Sequence, residues 1–276
     1  MNYNEVWHQL APLYGDGEAK AIAQMVYEVR FGLSLSDIYL GKDTQLSADG
    51  QAELEEIAKR LTGNEPVQYV LGVADFCGRQ YHVEPGILIP RPETEHLCRL
   101  ITKHATVGTP NCTILDIGTG SGCIAITLAL DIPNNQVTAW DISPIALRVA
   151  KENAERLGAN VTFQEVDALN IPLTSHFDLI VSNPPYICEH EADQMEPNVL
   201  DYEPEIALFV PDEDPLKFYV PIMNYASSAL FPDGELWLET NPLYEEIIEK
   251  RLLELGFDVI AHDDQYGKTR FIQAIR

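Results

Sequence analysis

Apolar residues recur at helical spacing in the first quarter of the chain and mostly in short strand-like runs beyond it. Residues Glu18 to Phe31 set Ala21, Ile22, Met25, Val26 and Val29 on one face with a period of about 3.6. Ser36 is a candidate N-cap, with Asp37 beginning a short helix. Ser47 precedes a further run, Ala48 to Leu61, whose Leu54, Ile57, Ala58 and Leu61 point inward. No strand-like alternation interrupts this region, which reads as a small helical bundle over residues 1–71.

A segment rich in glycine and proline follows, with Gly72, Gly78, Pro85, Gly86, Pro90 and Pro92. Its β-prone pieces, around Val67–Val73 and Arg79–Val83, predict a hairpin linker over residues 72–92. Pro92 suits the first turn of a helix running from Glu93 to about His104, because a first-turn N–H has no helical partner to lose. From there strands and helices alternate. Strand-like runs at Thr113–Ile117, Gln136–Asp141, Val161–Glu165, Phe177–Ser182 and Glu235–Glu239 are interleaved with helical runs at Gly122–Asp131, Ser143–Leu157, Pro215–Leu230 and Tyr244–Leu255. That order predicts a parallel sheet covered by helices on both faces. The last two runs, Phe257–His262 and Thr269–Ile275, have no helix between them and predict an antiparallel pair at one side of the sheet.

Charge narrows the function. The 276 residues carry 43 Asp and Glu against 18 Lys and Arg, a net charge of −25. A protein that grips a phosphate backbone needs a basic field, and this chain repels polyanions over most of its surface. Between Arg156 and Lys217 there is no Lys or Arg at all, which tilts the expectation away from nucleic acid and toward a neutral or basic peptide. The apolar stretch Cys123 to Leu130 is far short of the ~20 residues that span a bilayer. The opening MNYNEVWHQL has no basic or apolar leader region, so no secretory signal is expected. Five scattered cysteines without a C-x-x-C pair predict reduced thiols in a cytoplasmic protein and no metal site.

The candidate chemistry begins at TILDIGTGSGCIAI, residues 113–126. An apolar strand ends in Asp116, and Gly118, Thr119, Gly120, Ser121 and Gly122 lead into a helix whose free N–H groups and open backbone suit a nucleotide-like cofactor. Asp141 ends the next strand, about 20 residues on, where a carboxylate can accept both ribose hydroxyls; the competing reading is a cap for the helix at Ser143. Asp167 follows the third strand and can reach an adenine amino group, with Ala168 beside it.

The most specific signal is VSNPPY, residues 181–186. Asn183 offers a side-chain oxygen and Pro184 a backbone carbonyl in a stiff segment where φ is locked. Two acceptors so held can take both hydrogens of an NH₂ group, and Tyr186 adds an aromatic face. The arrangement suits methyl transfer to a planar, conjugated nitrogen. His190 and Glu191 lack the second histidine of a zinc helix and read as surface loop.

DIGTGSG, the acid at Asp141 and NPPY, in this order, resemble the class I S-adenosylmethionine-dependent methyltransferases that modify nitrogen. LIPRPETE (88–95), LGVADFCGRQYHV (71–83) and YEPEIAL (202–208) extend the resemblance over nearly the whole chain to the bacterial peptide chain release factor glutamine N5-methyltransferases. The resemblance implies an α/β fold: a doubly wound, mostly parallel seven-stranded sheet with an antiparallel terminal strand, behind a small all-helical substrate-recognition domain and the hairpin, with the methyltransferase domain over 93–276. It implies transfer from S-adenosylmethionine, leaving S-adenosylhomocysteine, to the glutamine of the Gly-Gly-Gln loop in release factors. Cofactor contacts would come from Asp116, the Gly118–Gly122 loop, Asp141, Asp167, Ala168 and Asn183. Asn183, Pro184, Pro185 and Tyr186 would hold the glutamine, with Phe76 of the hairpin helping to wall it; core anchorage is the competing role for Phe76. Asn183, Pro184 and Tyr186 would serve as the catalytic set. A monomer is expected, and no nucleic acid or membrane is expected as partner. Enzymes that methylate exocyclic amino groups of DNA or RNA bases share NPPY and form the alternative.

Overall fold

The structure is a computed structural model that describes residues 1–104, 111–172 and 175–276. Two compact units are present, one of residues Met1–Val73 with Glu196–Tyr202 and one of Ala74–Met195 with Glu203–Arg276.

The first unit is helical. Helix α1 (Tyr3–Phe31) starts in a capping box between Asn2 and Glu5, bends where Gly15 takes φ 73°, and ends at Gly32 with φ 65°. Its first turns precede the stretch that sequence periodicity marked, and they bury Val6 and Leu10 against Ile22, Val26 and Leu54. Helix α2 (Leu35–Tyr39) is capped by Ser34 and not by Ser36, because Asp37 lies three residues beyond Ser34 and returns a hydrogen bond to its backbone N–H. Ser47 caps α3 (Ala48–Thr62), as expected. The β-prone run at Val67 is instead helix α4 (Val67–Leu71). There, burial of Val70 in the helical core overrides β propensity. Within this unit the Tyr202 hydroxyl donates to the Gly63 carbonyl, at 2.8 Å.

Strands β1 (Val73–Phe76) and β2 (Arg79–His82) form the expected hairpin, which lies in the second unit from Ala74 onward. Cys77 and Gly78 both take positive φ, 48° and 73°, as a two-residue turn matched to strand twist requires. Helix α5 (Pro92–His104) leads to β3 (Cys112–Ile117), α6 (Cys123–Asp131), β4 (Asn135–Asp141), α7 (Pro144–Leu157), β5 (Val161–Glu165) and β6 (Phe177–Ser182). A small parallel pair, β7 (Ile187–Cys188) and β8 (Phe209–Val210), is bridged in sequence by α8 (Pro197–Tyr202), which belongs to the first unit, and α9 (Glu205–Leu208). Helix α10 (Tyr219–Ala229), β9 (Leu230–Glu239), α11 (Glu245–Glu254), β10 (Asp258–Asp263) and β11 (Thr269–Ile275) complete the chain.

The sheet runs β10-β11-β9-β6-β3-β4-β5. From β9 to β5 neighbours are parallel, whereas β11 is antiparallel to both β9 and β10. Successive residues serve opposite faces, as the two-residue period of a strand demands. Ile114, Leu179, Trp237 and Phe271 pack with α5 and α6, and Leu115, Ile180, Leu238 and Ile272 pack with α10 and α11. The strand order reverses between β3 and β6, and ligands of such sheets bind outside the carboxyl ends at that reversal. No described helix is long and apolar enough to cross a membrane.

Candidate active site

At the reversal point a cavity of about 310 Å³ opens at the carboxyl ends of β3, β4 and β6. Its first wall is backbone. Past the end of β3, the N–H groups of Gly118 and Thr119 both donate to the Trp140 carbonyl, at 2.8 and 2.9 Å, tying the glycine loop to β4. Gly118 and Gly120 take φ 78° and 55° and have open space where a Cβ would stand. The chain here is therefore bent through a conformation that side chains disfavour, and its peptide groups line the cavity directly.

Asp141 crosses that loop. One carboxylate oxygen accepts from Gly120 N (2.9 Å) and the other from Ser143 N (2.9 Å). Ser143 itself caps α7, accepting from Ala146 N, so Asp141 does not act as that helix's cap. Burial raises the pKa of Asp141 against the lowering effect of those backbone donors. Asp167 accepts from Leu169 N (2.8 Å) and Asn170 Nδ2 (2.7 Å) and lines the cavity beside Ala168. Val166, Phe218 and Ile222 supply apolar wall near it.

Asp116 and Gly122 stand apart from the cavity. Asp116 is fully buried, and its Oδ2 accepts from Thr119 Oγ1 (2.7 Å) and Ala125 N (3.2 Å). It thereby anchors the glycine loop from beneath. Burial pushes its pKa up to about 7 despite those two donors. A Cβ on Gly122 would come within 2.8 Å of Ile126 Cδ1 and 3.0 Å of Ala150 Cβ, so this glycine permits close packing of α6 on α7. Thr119 and Ser121 do line the cavity.

The second wall follows β6. Asn183, Pro184 and Pro185 line the cavity together with Thr94 and Arg91 of the 88–95 segment. Asn183 donates from Nδ2 to Thr94 Oγ1 at 3.1 Å, and Thr94 donates to Glu239 Oε2 at 2.8 Å. Tyr186 is not among the lining residues. Its ring packs against the core beside α10, and its hydroxyl donates to the other Glu239 oxygen, at 3.2 Å. Burial pushes the Tyr186 pKa up, and burial also raises Glu239 to about 7. Phe76 is 1% exposed and meets Tyr81 edge-on at 5.8 Å. It anchors the core and does not wall the cavity, because the hairpin turns its ring inward.

Several lining residues carry no signal in the motifs. Thr94 lies inside LIPRPETE without marking itself out; Glu239, which backs Thr94 without lining the cavity, is legible only as an acid ending an apolar strand. Arg91 is held by Glu203 (2.6 Å), whose other oxygen accepts from Ile89 N (3.1 Å). Lys217 also reaches the cavity. The expectation of a base-free surround is corrected by these two cations: one comes from far upstream and the other sits at the very edge of the base-free span. Away from the cavity, Cys188, His190 and Asp212 bring their polar atoms within 4.8 Å of one another. Hydrogen bonds account for that cluster: His190 Nδ1 meets Asp212 at 2.8 Å and Cys188 Sγ meets the Tyr244 hydroxyl at 3.2 Å.

Residues 109–260 match a family model described as a methyltransferase domain, and residues 7–72 match one described as a PrmC N-terminal domain. The chain is 48% identical over 274 residues to the release factor glutamine methyltransferase of Bacteroides thetaiotaomicron, covering 97% of this chain and 96% of that one. The chain belongs to the release factor glutamine methyltransferase family. Another member, from Flavobacterium psychrophilum, is 38% identical and covers 99% of this chain and 97% of its own. Among solved structures, a methyltransferase from Pyrococcus furiosus superposes with a TM-score of 0.52 at 19% identity, covering 83% of this chain and 98% of that one. A ribosomal protein L11 methylase from Lactobacillus delbrueckii reaches 0.50 at 24% identity over 70% of this chain and 82% of that one. These two likenesses show the fold: the sheet of this family member is that of the class I methyltransferases.

Proposed function

We propose that this protein transfers the methyl group of S-adenosylmethionine to the side-chain amide nitrogen of the Gly-Gly-Gln glutamine of peptide chain release factors. One observation carries the reading within the family: Asn183 and Pro184 line the same cavity as the glycine loop and Asp141.

The residues fit such a donor. Open glycine backbone, a carboxylate at the end of β4 and an apolar wall at Val166, Ala168, Phe218 and Ile222 together suit a nucleoside with a charged tail. S-adenosylmethionine, when bound, supplies an electrophilic methyl on a sulfonium centre. Asp141 would receive its ribose, the Gly118–Gly120 peptides would flank its tail, and Asp167 with Ala168 would border its base.

A glutamine amide is a poor nucleophile because its lone pair is delocalised into the carbonyl. The Asn183 side-chain oxygen and the Pro184 carbonyl accept its two hydrogens, which favours a more localised lone pair and the positive charge that grows on nitrogen. Orientation alone can contribute ~7–11 kcal/mol to such a reaction. The methylated amide sheds its proton readily, so the chemistry asks for no strong base. Tyr186 acts beneath the corner through Glu239. The helical domain is read as the part that recognises the release factor, in the cytoplasm.

Purified protein, release factor and donor with a labelled methyl group test the proposal. The label is expected on the glutamine of the Gly-Gly-Gln peptide by mass spectrometry. Label entering RNA or DNA while release factor stays unlabelled overturns it in favour of a base amino-methyltransferase.

A further inference from the structure

Three distant segments meet behind Asn183. Thr94 comes from α5, Glu239 ends β9, and Asn183 follows β6. Thr94 and Glu239 are 3% and 1% exposed, so water does not compete freely for their polar atoms. While Glu239 is ionised, the direction of each hydrogen bond in the chain is fixed by that end. An ionised carboxylate only accepts, so the single hydroxyl hydrogen of Thr94 goes to Glu239 Oε2 at 2.8 Å. Thr94 Oγ1 then has only a lone pair to offer, and Asn183 must present its NH₂ end, at 3.1 Å. A reversed amide would set its carbonyl oxygen against an oxygen with no hydrogen left to give. We infer that Thr94 and Glu239 are positioning residues that lock the side-chain amide of Asn183 in one of its two orientations, leaving the oxygen as the atom offered to a substrate NH₂ group.

The inference rests on the proposed role of Asn183 and adds to it. An asparagine amide has two nearly isosteric faces, and only one of them accepts. Unlocked, the amide could present hydrogens to hydrogens, and the substrate NH₂ would be repelled. The same carboxylate takes the Tyr186 hydroxyl on Oε1 at 3.2 Å, so one buried group steadies both Asn183 and the end of the Asn-Pro-Pro-Tyr segment. Tyr219 donates to the Glu239 carbonyl at 3.1 Å and fixes the backbone there. Arg270 of β11 favours the ionised form and Glu93 of α5 opposes it.

Three variants in the full chain test this. Thr94→Val keeps the shape and removes the acceptor, Thr94→Ser keeps the hydroxyl, and Asn183→Ala identifies the Asn183 amide resonances by their loss. Thr94→Val should lower kcat roughly 10-fold or more, as loss of a preorganised polar contact does, while calorimetric affinity for S-adenosylhomocysteine stays within about 3-fold of the parent. Thr94→Ser should recover most of the lost rate. In ¹⁵N–¹H spectra the Asn183 NH₂ pair should move in Thr94→Val and return toward its parental position in Thr94→Ser. An Asn183 pair at the same position in parent and Thr94→Val overturns the inference, as does a serine variant as slow as the valine one. A parent that leaves release factor unlabelled overturns the proposed function instead, and the resonance comparison still decides this one.

Discussion

The two walls of the cavity are built on different principles. The glycine-loop wall is made almost wholly of neighbours in sequence: Gly118 to Ser121, with Asp141 about twenty residues on, and its polar groups are largely backbone. The Asn183 wall is held by side chains drawn from three segments, with separations of 89 residues from Thr94 to Asn183 and 145 from Thr94 to Glu239 behind it. A backbone wall tolerates change in its side chains but not in its φ angles. A side-chain wall has the opposite sensitivity, since each member holds the next. Substitutions should therefore damage the first wall through folding and donor affinity, and the second through turnover.

The largest effect should fall on the second wall. Asn183→Ala removes one of the two acceptors proposed for the substrate amide and should lower kcat at least ~10²-fold, the scale seen when one preorganised contact to developing charge is lost. The melting temperature should stay near that of the parent, because Asn183 is only half-buried. Methyl transfer at the parental rate would remove Asn183 from the site.

Just behind the first wall, at the glycine that seats α6 on α7, the cost should appear as stability. Gly122→Ala must hold a side chain at φ 82° and drive its Cβ to 2.8 Å from Ile126 Cδ1. Left-handed backbone and overpacking each cost on the order of 1–3 kcal/mol, so a combined loss of about 2 kcal/mol or more is expected in denaturant unfolding. An unchanged midpoint would mean that α6 and α7 are packed less tightly than described.

The contrast between the walls also explains what the sequence discloses. Gly118, Gly120 and Asp141 are legible because their chemistry is local: a strand end, a turn that needs positive φ, and a second strand end. The seven strands of the main sheet are legible for the same reason, each being a short strand-like run of ordinary length. Ser34 displaces Ser36 as a cap through a reciprocal bond with Asp37 that a pattern of apolar residues does not weigh. Thr94 and Lys217 reach the cavity, and Glu239 reaches Thr94 behind it, only through the tertiary fold, which no local motif encodes. Tyr186 shows the same gap from the other side: the motif contains it, but the chain turns its hydroxyl toward Glu239 and away from the cavity surface.

A smaller effect should separate binding from turnover. Asp141→Ala removes the carboxylate that accepts from Gly120 and Ser143 and that the ribose reading requires. The KM for the methyl donor should rise roughly 10-fold or more, as loss of a charged hydrogen-bond partner does, with kcat at saturating donor within a few-fold of the parent. A fall in kcat with KM unchanged would move Asp141 out of the donor site and into the reacting corner.

The smallest effect is a pH dependence that tests how the second wall is held. Burial raises Glu239 to about 7, with Thr94, Arg270 and Tyr186 pulling it down and Glu93 pushing it up. The carboxylate is the form that commits the Thr94 hydrogen and so orients Asn183. As pH falls through about 7 the carboxyl gains a proton, becomes a donor as well, and no longer dictates which end of the amide Thr94 meets. The kcat of the parent at saturating substrates should therefore rise several-fold from pH 6 to pH 8, in proportion to the ionised fraction. Asp116 also titrates near 7, buried beneath the glycine loop. The two are separable, because Glu239→Gln should flatten the profile while Asp116→Asn should leave its inflection in place. A flat parental profile, or an inflection that survives Glu239→Gln and vanishes in Asp116→Asn, would place the pH-sensitive hold in the backbone wall and not the side-chain wall.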